Sequence, residues 1–436
     1  MNFSKTTLSN GLRVITVPMP SLESSTVCVW IRTGSRNEEK RINGISHFLE
    51  HMTFKGSKKR PSAKQISEAV DAIGAEFNAA TSKEWTNFYI KTPSGNLETA
   101  FDVLSDMVLN PLLKKEEIER EKGVIIEEIN MYEDTPMMKI GDVFENLIFS
   151  EDSLGRDISG TVKSVKSIQR DDFLSYRKRH YYADNVIVSV AGGVDEKKVI
   201  ELAKKHFSDL SHIGSGPGQN ASHPLGGPFQ TGPQVKLHPK KKEQAHLILG
   251  FMADGRGYKG RYAQGVLATI LGGGMSSRLF IEVRERRGLA YAVRTSVDRY
   301  VGTGYLGTYA GVDPKRIDEA IAVMLEEHYK LANSEKRIGK ACRFAVAKSE
   351  LTKAKEYLKG HLALALEDTH AVGDFFAEQE LFLPKIETPE EVFKKVDKVS
   401  LDEILHEAKR LFVPSRLNLA VIGPYNDQSR FEKLLK

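Results

Sequence analysis

From Ser211 to Gln234 the chain reads SHIGSGPGQNASHPLGGPFQTGPQ, so dense in glycine and proline that no helix or strand can run through it. It divides the 436-residue chain into two parts of about 200 residues, each large enough for a domain with its own core. Domains are therefore expected at residues 1–214 and 235–436, joined by a linker at 215–234.

A faint internal repeat relates the two parts. Asn185–Gly192 (NVIVSVAG) and Arg416–Gly423 (RLNLAVIG) are both apolar strands closed by glycine, and Asp195 and Asp427 each precede a helical segment. Strand-like spacing covers Leu12–Val17, Thr26–Ile31, Phe77–Ile90, Tyr181–Ala191, Ala245–Met252 and Tyr291–Ala310. Helical spacing covers Gly44–Lys55, Ser62–Ile73, Leu97–Leu109, Lys114–Tyr132, Glu196–Phe207 and Arg261–Leu271. Strand pairs alternate with paired helices, rather than strand and helix one by one, which is the order of an α+β fold.

Composition narrows the function classes. Sixty-three Lys+Arg against fifty-eight Asp+Glu leave a formal charge of only +5, and the basic runs Lys58-Lys59-Arg60 and Lys240-Lys241-Lys242 carry no interleaved aromatics. No nucleic-acid partner is expected. The two cysteines, Cys28 and Cys342, are far apart and suggest neither a disulfide framework nor a thiolate cluster. No apolar run approaches eighteen residues and the N-terminus has no signal-like apolar region, so no membrane partner and a cytoplasmic location are expected.

The segment His47-Phe48-Leu49-Glu50-His51 carries the chemistry. On a helix, His47 and His51 project one turn apart from one face, close enough to bind a single ion. Imidazole suits zinc, which takes three protein ligands and an open position when it is catalytic. Glu50, on the same side, can act as general base toward a water attacking a carbonyl. The order His-x-x-Glu-His inverts the commoner His-Glu-x-x-His. A third ligand must come from elsewhere. Lys114–Tyr132 holds Glu116, Glu117, Glu119, Glu121, Glu127 and Glu128, of which Glu121 and Glu128 are seven apart and share a face. One of that pair can ligate while the other hydrogen-bonds a histidine.

Five separated motifs, NGLRVI, HFLEHMTFKG, GAEFNAATSKEWTNFY, GVIIEEINMYEDTP and SSRLFIEVRERRGLAY, together make the chain resemble the pitrilysin or insulinase family of inverted-motif zinc peptidases. Specifically, it is similar to the half-length branch that includes the mitochondrial processing peptidase β subunit and bacterial homologues. The resemblance implies an α+β fold of two homologous domains, each a mainly antiparallel sheet with helices packed on one side. It implies one Zn2+ per subunit held by His47, His51 and Glu128 (rather than Glu127), with Glu50 as base and Glu121 as the supporting carboxylate. Arg284 and Tyr291 match the pattern R-x-x-x-x-L-x-Y of the second half, whose guanidinium and hydroxyl would steady oxyanion charge.

Residues Phe77, Asn78, Ala79 and Ala80 match the edge strand to which an extended peptide substrate adds. Where the family frequently has Glu-His-Thr, this chain reads Glu84-Trp85-Thr86. The implied activity is that of a zinc metalloendopeptidase acting on unfolded or short peptides within an enclosed dimer chamber. The alternative is a non-catalytic structural or chaperone-like homologue. Arg284 and Tyr291 would meet the zinc of another subunit, implying a homodimer, or a heterodimer with an inactive homologous subunit.

Overall fold

The computed structural model describes residues 1–212, 232–333, 336–338, 341–343 and 346–436. Residues 215–231 of the expected linker lie outside the described residues. The chain forms two units. One comprises Met1–Met131, the described residues from Arg156 to 212, and Ala363–Thr388; the other comprises Tyr132–Gly155, the described residues from 232 to Leu362, and Pro389–Lys436.

The first unit is built on a sheet of six strands: β1 (Ser4–Thr7), β2 (Arg13–Pro18), β3 (Ser24–Ile31), β4 (Glu76–Thr81), β5 (Thr86–Pro93) and β6 (Val186–Gly192). Their spatial order is β1-β2-β6-β3-β5-β4. Only β2 and β6 run parallel; the other neighbours are antiparallel. Central β3 shows why the sheet is buried on both faces. Val27, Val29 and Ile31 join a core with Phe48, Leu49, Phe101 and Leu104, from helices α1 (Ile45–Thr53) and α3 (Leu97–Leu109). On the alternate positions, as the strand period requires, Thr26 and Trp30 meet the helix Thr369–Phe382. The Thr26 and Thr369 hydroxyls stand 2.7 Å apart, and Trp30 donates to Asp374. Close approach there needs Gly373, where a Cβ would come within 3.3 Å of Cys28 Sγ.

Two expected boundaries shift for local reasons. Phe77–Ile90 is a hairpin of β4 and β5, because Ser82 N donates back to Trp85 O while Ser82 O and Lys83 O accept from Ser35 N and Arg36 N. The strand expected from Tyr181 begins at Val186, after a helical turn at Ala183–Asn185. There the Asn185 amide donates to Arg32 O and His180 O, satisfying carbonyls that a sheet ladder would otherwise have to reach.

The second unit repeats the plan. Strands β7 (Gln234–Pro239), β8 (Ala245–Ala253), β9 (Ala290–Arg299) and β10 (Gly304–Val312) precede a short hairpin, β11 (Lys336–Ile338) and β12 (Ala341–Arg343), and then β13 (Leu417–Gly423). The main sheet has the order β7-β13-β8-β10-β9, with β13 parallel to β7 and antiparallel to β8. Thus β6 and β13, the two copies of the sequence repeat, occupy the same place: each is flanked by one parallel and one antiparallel neighbour. Each is also followed by an aspartate-capped helix, Asp195 accepting from Lys198 N and Asp427 from Ser429 N, both at 3.0 Å. The fold is therefore α+β, in two homologous domains with mainly antiparallel sheets. Among the described residues no helix is long and apolar enough to cross a membrane.

Candidate metal centre

Helix α1 is short, and its buried face and its N-terminus fix its placement. Ile45, Phe48, Leu49 and Met52 form its buried stripe, which turns His47, Glu50 and His51 away from the core. It starts at Gly44, whose φ of 98° is left-handed and where a Cβ would lie 2.6 Å from Ser159 O, so only glycine fits. The first-turn amides are met by the buried Glu38 carboxylate. It accepts from Gly44 N at 2.7 Å, Ser46 N at 2.8 Å and the Asn43 amide at 2.8 Å.

Across from α1 runs helix α4 (Lys115–Asp134), which follows α2 (Ala63–Asp71) and α3 in the chain. Its buried Ile118 and Ile125 hold it against the core, and Glu121 and Glu128 emerge on the side facing α1. His47 Nε2 and His51 Nε2 stand 3.2 Å apart, and Glu128 Oε2 lies 3.6 Å from each. Four ligands placed tetrahedrally at about 2.0–2.2 Å from zinc stand roughly 3.3–3.6 Å from one another. The triangle thus has the size of a zinc site with the fourth position open, and the two-nitrogen, one-oxygen donor set suits that ion.

Glu121 supports this triangle without joining it. Its Oε1 is 2.9 Å from His51 Nδ1, and its Oε2 is 2.6 Å from Lys55 Nζ. A proton on Nδ1 directed at Glu121 leaves the His51 Nε2 lone pair free for a metal. Burial raises the Glu121 pKa, but its bonds to His51 and Lys55 outweigh burial and hold it below the usual carboxylate range. For His51, burial lowers the pKa, but the Glu121 bond and the charges of Glu50, Glu121 and Glu128 outweigh burial and raise it. Burial, then the neighbouring His51, pushes His47 down to about 3, so it is a neutral ring.

Glu50 lies on the same helix and does not enter the triangle. Burial raises its pKa, and a 2.5 Å bond from Thr81 Oγ1 to Oε2 offsets that only in part. Thr81 ends β4, the edge strand. Along β4, Phe77 and Ala79 pack toward the core while Asn78 and Ala80 are exposed, and the strand pairs with β5 on one side only. The Ala79 amide donates to its neighbour's Asn78 Oδ1 at 2.9 Å instead of to another strand. Phe77, Asn78, Ala79 and Ala80 therefore form a strand edge whose end touches Glu50.

Arg284 and Tyr291 belong to the second unit. The Arg284 guanidinium lies 5.0 Å from the Tyr291 ring centre and 4.8 Å from that of Phe280. Tyr291 is 77% exposed. Sequence reasoning did not single out Glu38, Lys55 or Thr81. Thr81 falls inside the strand-like run and Lys55 is one turn beyond His51, but neither position has a spacing signal of its own. Glu38 precedes the helix it caps by a loop.

Comparison with known proteins agrees with this geometry. Residues 13–162 match the family described as Insulinase (Peptidase family M16), and residues 167–343 match the Peptidase M16 inactive domain. A protein named as an uncharacterized zinc protease in Streptomyces coelicolor is 35% identical over 426 residues, covering 97% of this chain and 90% of that relative. A Bacillus subtilis protein of the same description is 37% identical over 419 residues, covering 96% and 97%. In fold, the chain is similar to a protease from Helicobacter pylori, with a TM-score of 0.87 at 24% identity, covering 97% of this chain and all of that one. With zinc-peptidase relatives aligned along nearly its whole length and a His-His-Glu triangle of the right size, the chain belongs to the insulinase family, peptidase family M16.

Proposed function

We propose that this chain is a zinc-dependent endopeptidase that hydrolyses unfolded or short peptides bound in extended form, and that it belongs to the half-length branch of its family. The observation that carries this reading is the His47, His51 and Glu128 triangle with Glu50 beside it and the free edge of β4 ending at Glu50. A zinc ion held by the triangle would supply Lewis acidity at the carbonyl under attack.

The remaining work falls to the chain's own side chains. The substrate backbone pairs with β4 along Phe77–Ala80, which recognises extended shape with little demand on sequence. Glu50 takes a proton from the attacking water as the carbon–oxygen bond forms, and returns it to the amine as the carbon–nitrogen bond breaks. Its raised pKa suits both halves of that exchange. Glu121 keeps His51 in the ligating tautomer. Arg284 and Tyr291, supplied by the second domain of a partner copy in a homodimer, steady the charge that develops on the carbonyl oxygen.

The test is metal analysis of the purified chain together with cleavage of a quenched peptide, with and without chelator, for wild type and Glu50→Gln. About one zinc per chain and chelator-sensitive cleavage lost in Glu50→Gln are expected. Cleavage indifferent to both chelator and Glu50→Gln would overturn the reading.

A further inference from the structure

On the face of the first sheet turned away from α1, three side chains with metal-binding atoms converge. Cys28 is fully buried in the middle of β3, and His370 and Asp374 lie one turn apart on the helix Thr369–Phe382 that covers it. The sulfur, an imidazole nitrogen and a carboxylate oxygen all lie within 4.8 Å of one another. His370 Nε2 is 3.3 Å from Asp374 Oδ2. That nitrogen is buried and forms no hydrogen bond. The site is also braced from behind. Trp30 Nε1 and Asn87 Nδ2 approach Asp374 Oδ1 at 3.2 and 3.5 Å, leaving Oδ2 to face the histidine. The His370 ring is stacked on Tyr89, with centroids 3.7 Å apart.

We propose that Cys28, His370 and Asp374 form a second cation site, for a zinc-class divalent ion, that clips the helix Thr369–Phe382 to β3. Three features favour a cation over a bare hydrogen-bonded cluster. A thiolate, imidazole and carboxylate set selects borderline ions such as zinc or cobalt and disfavours magnesium and calcium. The carboxylate and the ring are already held in place by Trp30, Asn87 and Tyr89, as the supporting groups of metal ligands are. His370 Nε2, which makes no hydrogen bond even with Asp374 Oδ2 at 3.3 Å, gains a partner in the ion. His370 and Asp374 are partly exposed, so an ion reaches the site from the solvent side while the sulfur stays beneath. Binding exchanges the Cys28 thiol proton, released to solvent, for a sulfur–metal bond. The ion would tie β3 to the helix Thr369–Phe382 on the face of the sheet turned away from α1, with solvent completing its shell beside the three side chains, so its role is structural.

The two sites are separable by their ligands, since the His47, His51 and Glu128 triangle contains no sulfur. The full-length chain, stripped of metal, is titrated with Co2+ while visible and near-ultraviolet absorption are read. Two equivalents are expected to bind, one of them with a sulfur-to-cobalt charge-transfer band. Cys28→Ser removes that band and one equivalent while the visible bands of the other ion persist. His47→Ala does the reverse. Because Cys28 is in the core, His370→Gln on the outer helix serves as the second variant, and it also loses the charge-transfer band. Saturation at one Co2+ without a charge-transfer band, or a band that survives both Cys28→Ser and His370→Gln, would overturn the proposal. Neither result bears on zinc at the first triangle, which is read separately from the visible bands and their loss in His47→Ala.

Discussion

The Thr81 hydroxyl donates to Glu50 Oε2 at 2.5 Å, so the last residue of the edge strand holds one oxygen of the proposed general base. This contact orients the carboxylate and, in the proposed reaction, leaves Oε1 to take the proton of the attacking water. A hydrogen bond to a charged group contributes about 1.5–3 kcal/mol, which corresponds to roughly 10–100-fold in rate. Thr81→Val is expected to keep its zinc and its KM and to lose kcat by that factor, and Thr81→Ser to recover most of it. Unchanged kcat in Thr81→Val would mean that the contact does not position the base.

The metal triangle makes separate demands on its members. His47→Ala and His51→Ala should each lose zinc and activity together, because two protein ligands do not hold the ion at a catalytic site. Glu121→Gln should leave the ligand set intact but weaken zinc about 10–100-fold, by withdrawing the carboxylate from His51 Nδ1. Competition with a chelator of known affinity measures both. Full zinc occupancy in either histidine variant would rule out the ligand assignment.

Glu50→Gln should retain zinc and fold normally while turnover falls by about 10²–10⁴, since an amide cannot accept the proton. The same variant should still bind peptide, which fluorescence anisotropy of a labelled substrate would detect. Near-normal cleavage by Glu50→Gln would remove it from the base role.

Mixing Glu50→Gln with Tyr291→Phe tests whether the site is shared between subunits. If domain one of one copy works with domain two of the other, each mixed dimer holds one site with both defects and one with neither. Random exchange makes half the dimers mixed, so about a quarter of wild-type activity should return. Exchange is verified independently with mass-tagged chains. Demonstrated exchange with no regained activity would place both residues at the same subunit's site, and Tyr291→Phe fully active on its own would remove Tyr291 from catalysis.

His328 sets an acid limit on stability. It is buried, with Nδ1 2.6 Å from Met324 O and Nε2 3.2 Å from Thr308 Oγ1, and burial pushes its pKa down to about 4. An unfolded histidine titrates near 6.5, so between about 6.5 and 4 the unfolded chain binds a proton that the folded chain refuses. The stabilisation is complete above that window and is lost as pH falls through it, on the order of 3 kcal/mol in all. Urea unfolding at pH 7.5 and pH 5 should show the loss, and His328→Asn should reduce the slope of stability against pH by up to one proton. An identical slope in the variant would exclude His328 as its source.

Much of the fold could be read from local pattern. The repeat of Asn185–Gly192 in Arg416–Gly423 marks two strands that hold the same position in two sheets, because a mostly apolar strand is covered on both faces and so lies inside its sheet. Helices Leu97–Leu109 and Glu196–Phe207 match their periodicity end to end. The helices Pro136–Ile148 and Thr369–Phe382 were not delimited in advance. The first packs Ile140, Val143 and Phe144 against Tyr305 and Ile422 of the second unit, and the second lies on β3 and β6 of the first. Neither location is encoded near the segment itself.

The same division runs through the site. His47, Glu50 and His51 sit within five residues, and Glu121 and Glu128 are seven apart, so helical periodicity alone put each set on one face. What brought the two faces to 3.6 Å was the packing of α1 and α4 on a common core, and what aimed Glu50 was a threonine thirty-one residues away. Cys28, His370 and Asp374 carry no mutual signal, because they meet only when a helix more than three hundred residues later lies down on β3. The sequence by itself determined which side chains share a helix face or a strand edge, since those periods follow from backbone geometry. Only the tertiary structure decided which faces meet, because that depends on long-range burial of apolar surface that no local spacing records.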